Sequence, residues 1–209
     1  MIRNKALGVF GMRWKNRPMA DEPAFSQSAR ISFSRRVPEG DQLPREVCDS
    51  CGFINYENPK IVAGAVIHHE NRIIICRRAI EPRRGFWTIP AGYLELHETV
   101  EAAARREARE EACAEIIIEG LLGLYSIPRI SQVQLIYKAQ LATPSIAAGP
   151  ESLEVALVSL EEVPWDALAF PSVHWALRHF EAIRERTSFP PFTNPPGETG
   201  DHMPPPQEP

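Results

Sequence analysis

Two short apolar, β-branched runs, Ile61–His68 and Arg72–Cys76, flank the polar break His69-Glu70-Asn71. Runs of that length and composition around a short polar gap predict a β-hairpin. Phe86–Pro90 is brief and aromatic, and Pro90-Ala91-Gly92 ends it. Thr99–Ala112 is rich in Ala, Glu and Arg, contains neither Gly nor Pro, and predicts a helix. Ile116–Leu124 and Val133–Leu141 read as strands. So does Glu154–Leu160, where Val155, Leu157 and Leu160 alternate with smaller or polar residues. A second helix is predicted over Ser172–Arg186, with Val173, Leu177, Phe180 and Ile183 at helical spacing. Strands and helices mix without regular βαβ alternation, which implies an α+β fold built on a mixed sheet.

The two ends differ from this middle. Residues 1–20 carry Arg3, Lys5, Arg13, Lys15 and Arg17, with no acid before Asp21. They read as a flexible leader, with a targeting segment as the alternative. Beyond Thr187 stand Pro190, Pro191, Pro195, Pro196, Pro204, Pro205, Pro206 and Pro209. Proline lacks a backbone donor, so a disordered tail is expected there. The expected organisation is a basic leader over 1–40, a half-ribbon segment over 41–60, one domain over 61–186 and a Pro-rich tail over 187–209.

Composition narrows the function classes. The 209 residues hold 27 acids against 23 bases, a net charge of −4, which disfavours a nucleic-acid binder. No apolar run nears the ~18 residues of a membrane helix, so no membrane partner is expected. Four cysteines are too few for a disulfide scaffold, and without a signal-peptide core the expected location is the cytoplasm.

The informative chemistry lies in the first predicted helix. At roughly 100° per residue with Val100 as zero, Glu107, Glu110 and Glu111 fall near ~340°, ~280° and ~20°. Ala103, Ala104 and Ala114 share that sector, while Arg105 and Arg109 fall opposite. A merely solvated charged face would turn its acids away from the apolar stripe. Like charges within one turn repel, so a cation is expected among them. Clustered hard oxygens suit Mg²⁺ or Mn²⁺.

This segment resembles the Nudix box: Gly, five residues, Glu, seven residues, Arg-Glu, an aliphatic residue, any residue, Glu-Glu, any residue, Gly, aliphatic. Gly92, Glu98, Arg106, Glu107, Glu110 and Glu111 match at that spacing, with Ala108 and Ala114 at the aliphatic positions. Cys113 replaces the last glycine, where a left-handed turn costs a non-Gly residue roughly 1–2 kcal/mol. The resemblance implies a Nudix fold, a mixed β-sheet sandwiched between α-helices. It also implies hydrolysis of a nucleoside diphosphate linked to another moiety. Glu107, Glu110 and Glu111 would hold the metal, with a backbone carbonyl near Gly92, while Arg106 and Glu98 orient those acids. The general base would be Glu110, Glu151 or Glu154, with Glu154 preferred. A homodimer is the family expectation.

Cys48-Asp-Ser-Cys51-Gly-Phe is similar to one knuckle of a zinc ribbon. In Nudix proteins with such a leader another Cys pair comes first, and its places here hold Ser26 and Ala29. The ribbon is therefore expected to be degenerate, with zinc disfavoured. Flanking segments from Cys48 to Phe170 resemble the zinc-ribbon-led branch containing FAD and ADP-ribose pyrophosphatases. The implied substrate is FAD, split to FMN and AMP, or ADP-ribose. Two alternatives stand beside it: a catalytically silent nucleotide-sensing or nucleic-acid-binding regulator, and an enzyme that clears oxidised nucleotides. Trp87, Phe86 and Tyr93 are candidate stacking planes, and Arg77-Arg78 or Arg83-Arg84 candidate phosphate contacts.

Overall fold

Side-chain alternation along one central strand assigns the two faces of the structure. The computed structural model describes residues 31–203, and the chain divides after Tyr56 into two units. In the second unit β4 (Lys60–His69) turns Ala63, Ala65 and Ile67 to one face and Val66 to the other. β5 (Arg72–Arg78) does the same with Ile74 and Cys76 against Ile73 and Ile75. The helix α1 (Val100–Ala112) covers the first face with Ala103, Ala104, Ala108 and Ala112, whose small side chains allow close approach. The helix α2 (Pro171–Ile183) covers the second with Val173, Trp175, Leu177 and Phe180. The expected mixed sheet between helices is the observed architecture.

Strand order is β10-β5-β4-β9-β8, where β8 is Ile116–Ile127, β9 Gln132–Leu141 and β10 Ser152–Ser159. β9 runs parallel to β4, and the other pairs are antiparallel. The short β6 (Trp87–Thr88) adds to β5. A further strand, β7 (Ala91–Tyr93), follows the expected break at Pro90 and pairs with β4. Gly64 permits it: a Cβ there would lie 2.3 Å from the Cβ of Ala91. Among the described residues no helix is long and apolar enough to cross a membrane.

The two ends require correction where they are described. The first unit contains a three-stranded antiparallel sheet of β1 (Phe33–Arg36), β2 (Arg45–Cys48) and β3 (Ile54–Asn55). Its first strand lies inside the expected 1–40 leader; residues 1–30 lie outside the described residues. The expected disordered tail is seated as far as residue 203, and residues 204–209 lie outside the described residues. Proline withholds donors only at its own positions, and the residues between pair with β8. Phe192 donates its N–H to Leu122 and accepts from Leu124, at 2.8 and 2.9 Å. The Asn194 amide binds both backbone groups of Ser126 at 2.8 Å, as a neighbouring strand would.

Thr99 caps α1, its hydroxyl accepting the Ala102 N–H at 3.2 Å. At the other end Cys113 is left-handed (φ 50°, ψ 32°). The Ala114 N–H reaches back to Ala108 and the Cys113 N–H to Arg109, both at 3.0 Å. Cys113→Gly should raise stability by about 0.5–1 kcal/mol, since relief of the left-handed strain exceeds the added freedom of the unfolded chain. Urea unfolding of the pair measures it.

Candidate active site

α1 presents its acids to the sheet. Glu107 and Glu111 are buried, 8% and 6% exposed, while Glu110 is exposed. Glu111 accepts the Ala91 N–H of β7 at 3.2 Å. Glu107 lies over Gly92, where a Cβ would come within 2.3 Å of its carboxylate, so only glycine allows this approach. Arg106 lies among the acids and donates to Glu107 at 2.6 Å, to Glu110 at 3.0 Å, to Glu98 at 2.7 Å and to the Tyr93 carbonyl at 2.9 Å. Glu98 thus anchors the guanidinium.

Burial makes this cluster electrostatically costly. It pushes the Glu111 carboxyl up to about 8, with the charges of Glu107 and Glu151 adding to the effect and the Ala91 N–H and Arg78 opposing it. Burial also raises Glu107, against the pull of Arg106. The hydrogen bond from Arg106 holds Glu98 below the usual carboxylate range.

The acids line a cleft of about 940 Å³, which also takes in Gly92, Arg78, Arg83 and Phe170. The structure separates several expected neighbours. Arg78 lines the cleft, whereas Arg77 pairs with Glu154 at 3.4 Å, because consecutive strand residues face opposite ways. Trp87 packs against the core under α2, its carbonyl accepting the Ala169 N–H at 2.7 Å. The Phe86 ring receives the Arg83 guanidinium at 4.4 Å and is not part of the lining. Of the expected stacking planes and phosphate contacts, Arg78, Arg83 and Tyr93 reach the cleft wall, and Trp87, Phe86, Arg77 and Arg84 do not.

Glu154 likewise stands away from the cleft, and the carboxylate brought in is Glu151. The cause is the loop Gly149-Pro150, which lies on the end of α1. The Gly149 N–H donates to the Glu111 carbonyl at 3.1 Å, and a Cβ at Gly149 would fall 1.6 Å from the Glu110 carbonyl oxygen. Phe170, Arg129, Gln132, Gln134 and the tail residues Asp201 and Met203 also line the cleft without having been foreseen.

As the side chains stand, no three His, Cys, Asp or Glu groups among the described residues converge as ligands. Arg106 holds Glu107 and Glu110 instead. The donors nonetheless suit a hard dication: Glu107, Glu110 and Glu111 face one cleft, and a cation there would favour the ionised form that burial disfavours at Glu107 and Glu111. Zinc in the first unit fits poorly. Cys48 is buried and Cys51 exposed on the turn closed by Gly52 (φ 75°). Two thiols do not complete a four-ligand site, and Ser26 and Ala29 lie outside the described residues.

The raised carboxyls give a signed pH dependence. Groups whose folded pKa exceeds the unfolded value, an ordinary ~4.3 for Glu, favour the fold below that value. That contribution is lost as pH climbs from the ordinary value through about 8. Chelator-treated protein should therefore lose roughly 1–3 kcal/mol between pH 5 and 8, and Glu111→Gln or added Mg²⁺ should flatten the profile. Thermal unfolding across that range tests this; a flat profile for the chelator-treated natural sequence contradicts it.

Comparison with known proteins places the fold. A NUDIX domain model matches residues 58–179, and a Nudix N-terminal zinc-ribbon model matches residues 32–57. Over 113 residues the chain is 28% identical to an ADP-ribose pyrophosphatase of Methanocaldococcus jannaschii, covering 52% of this chain and 67% of that protein. Over 102 residues it is 31% identical to a MutT-like protein of Streptomyces ambofaciens, covering 49% and 64%. The chain thus spans about two thirds of the length of these relatives. The crystal structure of a NUDIX hydrolase from Nitrosomonas europaea superposes with a TM-score of 0.74 at 40% identity, covering 81% of this chain and 98% of that one. With its box acids gathered on α1 and its family model spanning most of the second unit, the chain belongs to the Nudix hydrolase family.

Proposed function

We propose that the protein is a divalent-metal-dependent pyrophosphohydrolase of ADP-linked compounds, with ADP-ribose and FAD as its substrates. One observation carries the reading: Glu107, Glu110, Glu111 and Glu151 line a single cleft with Arg78 and Arg83. Its volume, about 940 Å³, lies near the top of the usual range for ligand sites and suits a two-part substrate. Sequence likeness to the archaeal ADP-ribose pyrophosphatase supports the substrate class.

Glu107, Glu110 and Glu111 would hold Mg²⁺ or Mn²⁺, which supplies charge neutralisation at the diphosphate and acidifies water. Arg78 and Arg83 orient phosphate oxygens by charge-assisted hydrogen bonds. Arg78 is itself braced, donating to the Pro82 carbonyl at 2.8 Å and lying 5.2 Å from the centre of the Phe170 ring. Glu151, fixed by the Gly149 contact with α1, accepts the proton of the attacking water. Water adds across the P–O–P bridge, so ADP-ribose yields AMP and ribose 5-phosphate, and FAD yields AMP and FMN. With Trp87 packed against the core and away from the cleft lining, a flavin ring would find Tyr93 and Phe170 as its aromatic neighbours.

The test is a panel of ADP-ribose, FAD, NADH and 8-oxo-dGTP with Mg²⁺ or Mn²⁺, followed by release of AMP and the rise of flavin fluorescence. Turnover of ADP-ribose and FAD is expected. Glu107→Gln and Glu151→Gln should each lower kcat on the order of 10²–10⁴-fold without loss of fold, whereas Glu154→Gln should change it little. Exclusive turnover of 8-oxo-dGTP, or none, overturns the reading.

A further inference from the structure

The described part of the tail reaches the cleft. Gly200, Asp201 and Met203 line it together with Ile127, Arg129 and Ile130 from β8 and the turn that follows. The path to that position is tied down stepwise. Phe192 pairs with β8 and stacks on His179 at 4.1 Å. Asn194 clamps Ser126 and also donates to the Glu198 carbonyl at 3.0 Å. Gly200 is buried at φ +79°, and a Cβ there would lie 2.7 Å from Ile127. Asp201 accepts from Thr199 at 2.5 Å and from Arg129 at 3.1 Å, so the strap closes onto the residue that shares its wall.

This wall has a mixed chemistry that the metal side lacks. Ile127, Ile130 and Met203 offer apolar atoms, including a thioether suited to the face of a planar ring. Beside them Gln134 donates to Gln132, which donates to the Tyr93 hydroxyl, at 3.2 and 3.1 Å. Gln132 and Gln134 line the same cleft, so hydrogen-bonding amides stand among these apolar atoms. Apolar side chains with amides among them fit a heterocyclic base, whereas the carboxylates and arginines fit the diphosphate.

We propose that residues 192–203 are a specificity-determining strap, with Met203 the contact for the nucleobase of the substrate. The strap acts on recognition of the base and takes no part in the hydrolytic step. The inference rests on the proposed function for its choice of ligand, but its test does not depend on turnover.

Calorimetric titration of the full chain with Mg²⁺ present uses two probes, AMP, which has a base, and ribose 5-phosphate, which lacks one. Met203→Glu, at the end of the strap, and Asn194→Ala, which frees it from β8, should each weaken AMP binding by about tenfold. Ribose 5-phosphate affinity should stay within about twofold in Met203→Glu. Equal loss for both probes in Met203→Glu would make the strap a purely structural part and overturn the proposal. So would unchanged AMP affinity in both variants, or no AMP binding by the natural sequence. Absence of hydrolysis with selective loss of AMP binding would overturn the proposed activity and leave the strap standing.

Discussion

The second unit depends on one close approach: the acidic face of a helix laid against a sheet. Glu107 and Glu111 share the buried side of α1 with Ala103, Ala104 and Ala108, so packing the helix also desolvates two carboxylates. The sheet accepts them because Gly92 has no side chain and Ala91 offers a backbone N–H. Arg106 supplies the compensating positive charge and is itself braced by Glu98. Without that bracing, burial of like charges would oppose the packing that forms the core.

The same contact organises the rest of the site. Because α1 ends against Gly149, the loop carrying Glu151 meets the helix acids, while Glu154, three residues on, joins β10 and pairs with Arg77. β5 sends Arg78 toward the cleft by the alternation that sends Arg77 away. The glycines at 92 and 149 are therefore packing residues, each admitting a neighbouring backbone or carboxylate at a distance no Cβ tolerates.

The strap shows a different principle. A proline-rich segment cannot form a regular ladder, yet one residue of backbone pairing at Phe192 and one side-chain amide at Asn194 hold it along β8. The edge strand is thereby covered, and residues distant in the chain from α1 reach its cleft.

What the chain determined by itself was local. The α1 wheel, with Glu107 and Glu111 among alanines, follows from a 3.6-residue period, and the pairing of β4 with β5 from two β-branched runs and a short gap. The left-handed end at Cys113 follows from its place in the box. Tertiary structure settled whatever required two distant segments to meet. Trp87 packed against the core because Leu168 and Ala169 pair beside it, Glu151 rather than Glu154 entered the cleft, and the tail found β8. Periodicity ranks the faces of one element, but only packing reveals which element each face will meet.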